Sequence, residues 1–413
     1  MTSALMDSII AQGQRLATHS WEYGAFAEAL LEWYDPFYSV FANDPFPDGK
    51  IPVANVDDVR SLSYVKPFIS INSTTLVDGD GAAGDPASLG VSAILIGETL
   101  PEYHAAASRQ VDHLLTAVPR WPNGAISHRE DVAELWADFI YMAPPTLAYW
   151  GVATSAPDVL NASIQQCLLY RDVLAAPAAA PSAPGLWHHI VGPQSQDLGM
   201  WSTGNAWAAA GMARVLATAR RSPHAGSLAA ETAALSAVVR AILDGAMAVD
   251  AAEPDEPLLR NYLNDSAWFG ELAGTALLSA TAYRMASLEP EGYAVDPYVK
   301  WADAKREAVT ARCVPEELPM SDALDQGKIM GIRDRLNQEH VEKVPSMRLN
   351  VFLLSFRSSF GTLLHIRDAV VSTEFSTLCP APTLSIIVTA ANPAHVRLVC
   401  LEPVFLVLAV ERP

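Results

Sequence analysis

The sequence has few cysteines, and none of them forms a close pair. The four stand far apart, at Cys167, Cys313, Cys379 and Cys400, in a chain of 413 residues. Zinc sites and redox motifs use closely spaced cysteines, and a disulfide framework needs several of them in a short chain. We therefore expect no metal site and no disulfide framework. Since no cofactor motif occurs either, we expect no cofactor.

Positive charge is also scarce. Lys and Arg number 27 against 46 Asp and Glu, which gives a formal net charge of −19, and the basic residues form no cluster. Such a surface repels phosphate backbones, so nucleic acid is not expected as a partner. An anionic substrate would need a local pocket of cationic or hydrogen-bonding groups.

Long apolar runs are missing as well. The longest one near the end, Val404 to Val410, is too short to span a bilayer, so we expect no membrane partner. The N-terminal segment has helical spacing and lacks a basic region followed by an apolar core, which favours a first helix over a signal peptide. We therefore expect a cytoplasmic protein rather than a secreted one. Sequons at Asn72, Asn161 and Asn264 leave secretion open, and the oligomeric state is open too.

What the chain does contain is helical periodicity. With 50% hydrophobic residues it can bury a large core. The apolar spacing predicts helices over residues 3–18, 22–41, 56–68, 86–98, 102–118, 131–151, 156–174, 203–220, 226–249, 266–287 and 294–311. Several form pairs of an apolar and a more polar helix, recurring at about 45 to 60 residues, and such hairpins stack into a solenoid or close into a toroid of about six pairs. Residues 1–312 are the predicted helical domain.

The last part of the chain differs in kind. From 313 to 413 it contains strand-like runs, TLSIIVTAA and VFLVLAV, and no helical pair like the earlier ones. We expect an atypical, poorly ordered tail. A shifted reading frame, an unspliced segment in the gene or divergence would explain it.

The stretch ELWADFIYMAPP, Glu134 to Pro145, places one carboxylate before a run of apolar side chains. In the predicted helix, Asp138 falls at the edge of an apolar face that comprises Val132, Leu135, Trp136, Phe139 and Ala143. A residue at such an edge is either exposed to solvent or buried. A buried unpaired carboxylate costs several kcal/mol, about 3 or more, or takes up a proton, so Asp138 is either a solvated carboxylate or one that is paired or used.

Three further features each have an ordinary explanation. Most histidines in loops have no special role, tryptophans beside a helix start can simply pack, and an aspartate before a proline is typical of a helix N-cap. These features are His188 and His189 in GLWHH, Trp201 and Trp207 around a helix start with Ser202 or Thr203 as the cap, and Asp85 before Pro86.

Together these features favour a carbohydrate site. Sugars stack their C–H faces on aromatic rings, while carboxylates and histidines handle hydroxyls and protons. In a helical toroid the ends of the inner helices line one mouth. We expect Asp85, Asp138, His189 and Trp207 to meet there.

Four motifs in order carry a family resemblance: LWADFIYMAPPTLAYWG, GLWHH, WSTGNAWAAAGMARVLA and FGELAGTALLSATAYRMA. Over about residues 20 to 290 the chain resembles the unsaturated rhamnogalacturonyl hydrolases of glycoside hydrolase family 105. It is more distantly similar to the unsaturated glucuronyl hydrolases of family 88. The resemblance implies an all-α fold, the (α/α)6 barrel. It also implies a small oligosaccharide substrate from pectin-type polymers, whose terminal 4,5-unsaturated uronic acid is removed by hydration of the C4=C5 bond.

The resemblance also implies roles for individual residues. Asp138 would protonate C4 and help to activate the water that adds to C5, with Asp85 as the second catalytic aspartate. The substrate-binding residues would be His189, Trp201, Trp207, Asn205, Trp136 and Met142, together with His128 or Arg129. We further expect an apolar wall of Phe139, Tyr141 and Trp136 to raise the pKa of Asp138.

One departure from the family pattern affects substrate binding. Thr203 stands where the rhamnogalacturonyl enzymes often have an arginine, so Arg129 or His128 would have to supply the cation for the substrate carboxylate. Two alternatives therefore stay open. One is an ordinary glycosidase that uses Asp85 and Asp138 on saturated sugars. The other is an inactive sugar-binding paralogue.

Overall fold

The structure is a computed structural model that describes residues 3–176, 184–293 and 297–312, and four strands between residues 370 and 410. By its contacts the chain divides into two units, Ala4–Gly361 and a second that comprises Met1–Ser3 with Thr362–Pro413. The described part of the larger unit is helical. The smaller unit contains the strands.

The described residues of the larger unit form helices and one short strand pair. Its helices are α1 (Ser3–Leu16), α2 (Ser20–Tyr34), α3 (Arg60–Val65), α4 (Gly90–Gly97), α5 (Pro101–Thr116), α6 (Phe139–Met142), α7 (Pro144–Ala153), α8 (Pro157–Leu174), α9 (Ser202–Arg221), α10 (Ala229–Ala251), α11 (Leu272–Leu288), α12 (Pro290–Tyr293) and α13 (Tyr298–Thr310). The strands are β1 (Leu135–Trp136) and β2 (Ile190–Val191), and short 3-10 helices lie at Pro36–Tyr38, Pro47–Gly49, Lys66–Phe68, Asp85–Leu89 and Ala225–Leu228.

The inner layer consists of helices that are buried on nearly all sides. These are α2, the 3-10 helix Asp85–Leu89 with α4, then α6 with α7, then α9 and α11, and each contacts the next. A helix with small and apolar residues all round has no face for water, so it is stable only inside a core. Glu32 of α2 pairs with Arg284 of α11, which brings the first and last described inner helices together.

The outer layer consists of amphipathic helices that each cover an inner neighbour. Helix α5 packs on α4, α8 on α7, α10 on α9 and α13 on α11. The stretch Ala225–Ala251 is long and apolar enough to cross a bilayer, but half of its most apolar window is buried in the protein. This helix therefore owes its apolar face to packing on α8 and α9. Two layers of helical hairpins are the (α/α)6-barrel class predicted from the sequence, and that prediction is confirmed.

The two largest errors in the helix predictions have a clear physical cause. The predicted helix 22–41 ends at Tyr34, because Pro36 cannot continue it. The predicted helix 131–151 does not exist over its first part, where Leu135–Trp136 is a strand paired with Ile190–Val191. The helical face assigned to Val132, Leu135 and Trp136 is therefore absent, and Asp138 lies at the start of the short helix α6.

The smaller unit contains an antiparallel sheet in the order β3 (Val370–Phe375), β4 (Leu384–Thr389), β5 (His395–Cys400) and β6 (Leu406–Val410). Val371 pairs with Val388, and Leu398 pairs with Ile386 on one side and Leu408 on the other. The strands predicted in TLSIIVTAA and VFLVLAV are thus confirmed. The domain boundary at 312 stays a prediction, since residues 313–369 lie outside the described residues.

Candidate active site

The candidate site lies where the inner helices begin, and three extended segments organise it. Ala137 donates its backbone N–H to the carbonyl of His189 at 2.9 Å, and His189 donates to that of Gly199 at 2.9 Å. Ile190 and Asp197 exchange backbone bonds of 2.9 and 3.0 Å. Because backbone bonds join the three segments, the side chains that follow them are held side by side.

Glu134 fixes this arrangement from inside. Its Oε1 accepts a 2.7 Å bond from Nε1 of Trp136, and its Oε2 accepts backbone bonds from Gln194 and Ser195 at 2.8 Å each. Burial alone would raise the pKa of Glu134, but the bonds from Ser195, Trp136 and Gln194 outweigh it and lower the pKa. This role of Glu134 was not predicted from the sequence, because the apolar spacing placed Glu134 on a helix.

Asp138 is buried, with 4% of its surface exposed, so it is not a solvated surface carboxylate. Its Oδ2 lies 3.4 Å from Nε2 of His189. Burial acts to raise the pKa of Asp138, but His189 and then His128 outweigh it, and the net pKa is lowered. This corrects the expectation that the apolar wall would keep Asp138 protonated.

His189 lies between two carboxylates. Its Nδ1 is 2.9 Å from Oδ2 of Asp197, opposite the Asp138 contact. Burial would lower the pKa of His189, but Asp138 and Asp197 together raise it to about 9, so the imidazole is charged at neutral pH. The predicted neighbourhood of Asp138 and His189 is therefore present in the structure.

Asp197 is itself held by two donors. The hydroxyl of Tyr262 donates to its Oδ2 at 2.5 Å, and the N–H of Gly199 donates to its Oδ1 at 2.9 Å. Burial would raise the pKa of Asp197, but the hydrogen bonds from His189 and Tyr262 outweigh burial and lower the pKa to about 2. The sequence analysis missed Asp197 and Tyr262. The only signal was the long loop that contains Asp197.

Asp85 is the second carboxyl at the site. It begins the 3-10 helix Asp85–Leu89 and makes no side-chain capping bond, so the N-cap explanation is wrong. Burial, and next the charge of Asp138, raise its pKa to about 8, while Arg129 opposes them. Asp85 is therefore the carboxyl that carries a proton at neutral pH.

His128 lies beside Asp85, with its Nε2 3.7 Å from Oδ1 of that residue, and stacks on Trp136 at 4.9 Å between ring centroids. Burial lowers the pKa of His128 to about 4, so the ring is neutral. This corrects the expectation that His128 could supply a cation for the substrate. The contact between His128 and Asp85 joins two neutral groups.

Arg129 remains the candidate cation. It is partly buried, lies against Gly81, and is close enough to Asp85 to lower that pKa. Among the described residues no carboxylate forms an ion pair with it. At the family arginine position, the hydroxyl of Thr203 donates to Oε1 of Glu271 at 2.5 Å, and Ser202 donates to Oε2. These two hydroxyls therefore do not cap α9, whose N-cap is Trp201.

Two tryptophans line the site. Trp136 is partly exposed, and its ring meets His189 edge-on at 5.9 Å. Trp201 is 5% exposed, lies 4.6 Å from the His189 ring, and donates its Nε1 to Asn261 at 3.1 Å. Both rings can meet a ligand at His189.

Three residues predicted to bind substrate are placed in the core instead. Trp207 is fully buried and packs on Tyr141 at 4.4 Å, and Met142 is 1% exposed. Asn205 bonds the backbone N–H and carbonyl of Trp187 at 2.8 and 3.0 Å. Its amide therefore ties the GLWHH loop to α9 and is not available to a sugar, which corrects all three expectations.

The chain is similar to glycoside hydrolases in part of its sequence and in its fold. Residues 91–246 match the model of Glycosyl Hydrolase Family 88. The fold is similar to a family 105 glycoside hydrolase from C. acetobutylicum, with 15% identity over 85% of this chain and 96% of that one and a TM-score of 0.59. A possible member of family 105 from Klebsiella pneumoniae shows 14% identity over 86% and 93%, with a TM-score of 0.60.

A third similar structure is the unsaturated glucuronyl hydrolase of a Bacillus species, responsible for the degradation of glycosaminoglycan. It shows 14% identity over 82% of this chain and 85% of that one, with a TM-score of 0.51. No curated protein matches the chain by sequence. The resemblance to families 88 and 105 predicted from the motifs thus agrees with a family 88 match over residues 91–246 and with a fold similar to these solved structures.

Proposed function

We propose that this relative of families 88 and 105 is a glycoside hydrolase that removes a 4,5-unsaturated uronic acid from the non-reducing end of oligosaccharides. The observation that carries the proposal is the split between two neighbouring buried carboxyls. Asp85 has a pKa raised to about 8, whereas the pKa of Asp138 is lowered. Two carboxyls whose environments push their pKa values apart are typical of acid and base partners.

The pair can hydrate a vinyl ether with one shared proton. In the bound complex the proton on Asp85 passes to Asp138, which leaves Asp85 ionised and Asp138 protonated. Asp138 then gives that proton to C4, and water adds to C5 while Asp138 accepts a proton from the water. The product is a hemiketal whose ring opening releases the rest of the oligosaccharide, and Asp138 keeps the proton it took from the water.

Substrate recognition is proposed for Arg129 and the two tryptophans. A uronate needs a cation, and the His189 charge is already shared by Asp138 and Asp197. Arg129 is the nearby guanidinium without an ion pair among the described residues, and guanidinium matches carboxylate geometry with two parallel bonds. Trp136 and Trp201 would stack on the sugar.

Within this substrate class, we propose oligosaccharides from rhamnogalacturonan as the first choice. The support is the resemblance of the four motifs to the family 105 rhamnogalacturonyl hydrolases. Thr203, however, is neutral and committed to Glu271, so the contacts beyond the terminal uronate differ from the family pattern. Oligosaccharides with other second sugars therefore belong in the same test.

The difference between the pKa values of Asp85 and Asp138 also favours a second candidate function. An ordinary glycosidase needs one protonated and one ionised carboxyl as well, and Asp85 and Asp138 would serve as its acid and base. This enzyme would cleave saturated aryl glycosides, which a hydratase cannot use because they have no C4=C5 bond.

The test is an absorbance assay on lyase-generated oligomers of rhamnogalacturonan, glucuronan and ulvan. The C4=C5 bond absorbs in the ultraviolet, so hydration removes the signal. We expect loss of absorbance with at least one oligomer and no cleavage of saturated aryl glycosides. Binding of an unsaturated disaccharide without turnover would overturn the proposal in favour of an inactive paralogue, and aryl glycoside cleavage would favour the second candidate.

A further inference from the structure

We propose that Asp197 is a positioning residue that holds His189 as a fixed imidazolium against Asp138, with Tyr262 as its support. The inference rests on the proposed function, because it assigns a task within the same site. Asp197 does not contact the reacting atoms. It acts through His189, and His189 acts on the catalytic carboxylate.

Two carboxylates determine the protonation state of the His189 ring. Its Nδ1 faces Asp197 at 2.9 Å and its Nε2 faces Asp138 at 3.4 Å. An ionised carboxylate only accepts hydrogen bonds, so Nδ1 donates to Asp197. Nε2 makes an ion-pair contact with Asp138 without a hydrogen bond, and a doubly protonated ring places its positive charge between the two carboxylates.

Two tryptophans and backbone bonds restrain the His189 ring. Trp201 packs against it at a tilt, 4.6 Å between ring centroids, and Trp136 meets it edge-on at 5.9 Å. Its backbone is bonded to Ala137 and Gly199. The ring is thus fixed by the same three segments that carry the two aspartates.

Asp197 is held in place independently of His189. Tyr262 donates to the same Oδ2 that faces His189, and Gly199 donates to the other oxygen. Tyr262 packs on Trp268 at 4.9 Å between ring centroids. A carboxylate held by two further donors stays ionised, so it keeps its charge on His189 when the pH falls.

Through His189, Asp197 therefore controls the charge of Asp138 although Asp197 does not contact the substrate. The titratable groups around His189 are Asp138, Asp197, His128 and Tyr262. Of these groups, the carboxylates of Asp197 and Asp138 stabilise the charged His189 ring. His128 is neutral, so it does not repel that charge. Without Asp197, the ring would lose its charge at lower pH and Asp138 would lose its counter-ion.

The test follows the His189 ring directly and needs no substrate. Histidine-labelled full-length protein is titrated by nuclear magnetic resonance, with the His189 signal assigned from a His189→Gln variant. In Asp197→Asn we expect the His189 titration to move down by about 1 pH unit or more, and in Tyr262→Phe by less. An exposed carboxylate on α5 provides the control, Asp112→Asn, which should leave the titration unchanged.

Activity supplies the second readout. In Asp197→Asn we expect kcat to fall by about 10- to 100-fold with KM within about 3-fold, and the acid limb of kcat/KM to move towards neutral pH. Asp197→Glu should restore part of both. An unchanged His189 titration in folded Asp197→Asn, or in Tyr262→Phe if the first variant does not fold, would overturn the inference. Failure of the proposed function would instead leave the wild type inactive while the titration still moved.

Discussion

Nε2 of His189 lies 3.4 Å from Oδ2 of Asp138, inside a site where both side chains are mostly buried. This one contact decides which carboxyl carries the proton in the free protein. The His189 charge stabilises the Asp138 anion against the cost of burial. The anion in turn, after burial itself, raises the pKa of Asp85. The two carboxyls therefore form a unit with one proton.

Removing the Asp138 charge should abolish turnover. Asn has the same shape as Asp but can neither give a proton to C4 nor take one from water. We expect kcat of Asp138→Asn to fall by about 1,000-fold or more, since general acid–base groups contribute roughly 100- to 10,000-fold each. The measurement is the loss of ultraviolet absorbance with an oligomer that the wild type consumes.

A carboxylate far from the site provides the control for this variant. Asp158 lies in the exposed first turn of α8, so Asp158→Asn should retain wild-type kcat. Thermal unfolding of both variants shows whether the fold persists. Substantial turnover by folded Asp138→Asn would contradict the assigned role.

Asp85 should set the alkaline limb of the activity profile. Its pKa is raised to about 8, so the carboxyl is protonated below that pH and activity should decline as the pH rises through about 8. In Asp85→Asn the rate should fall throughout, and the decline near pH 8 should disappear. A profile of kcat/KM from pH 5 to pH 10, about the range of these groups, measures both effects.

The raised pKa of Asp85 also makes the stability of the fold depend on pH. Because the folded pKa of Asp85 is raised from 3.8, its contribution to stability is largest below pH 3.8 and is lost as the pH rises through about 8. Asp85→Asn should therefore lose less thermal stability than the wild type between neutral pH and pH 9, about one unit above the shifted value. Equal losses would contradict the assignment of this pKa to Asp85.

Arg129 should control the affinity for the uronate. Charge-assisted bonds from guanidinium to carboxylate are worth roughly 1.5–3 kcal/mol, so Arg129→Gln should raise KM by about 10- to 100-fold with a smaller change in kcat. Arg129→Lys keeps the charge and should recover part of the affinity. Calorimetric binding of unsaturated disaccharide measures the same effect without turnover.

An arginine on the outer layer is the matched control for Arg129. Arg171 on α8 pairs with Asp172 at the surface, and Arg171→Gln should leave KM unchanged. If Arg129→Gln binds the disaccharide as well as the wild type, another group must bind the carboxylate.

The helices and their order could be predicted from the sequence, because helical periodicity depends on neighbouring residues only. The closed barrel was predicted from the resemblance to family 105, since periodicity left a solenoid or a toroid open. The pairing of β1 with β2 could not, because it joins segments far apart in the chain and each strand is too short to show alternation. The segment before Asp138 was therefore predicted as a helix.

The candidate site was predictable only in part for a similar reason. Asp85, Asp138 and His189 stand in motifs, whereas Asp197 and Tyr262 stand in unremarkable loops and become informative only when folding brings them to His189. Apolar spacing also cannot tell an aromatic ring in the mouth from one in the core. Trp201 and Trp207 read alike in sequence, yet only Trp201 contacts His189.

The close approach of α9 to α6 should be essential for holding Asp138 in place. A Cβ added at Gly211 would lie 2.1 Å from the carbonyl oxygen of Ile140 and 2.7 Å from Cα of Tyr141, so α6 would have to move. We expect Gly211→Ala to destabilise the fold by about 1–3 kcal/mol in urea unfolding, and to lower kcat because α6 begins after Asp138. Gly226 has no atom within 4 Å of its added Cβ, so Gly226→Ala should leave both quantities near wild type. Equal behaviour of the two variants would show that the contact between these helices can relax, and that Asp138 is held by its strand and loop bonds instead.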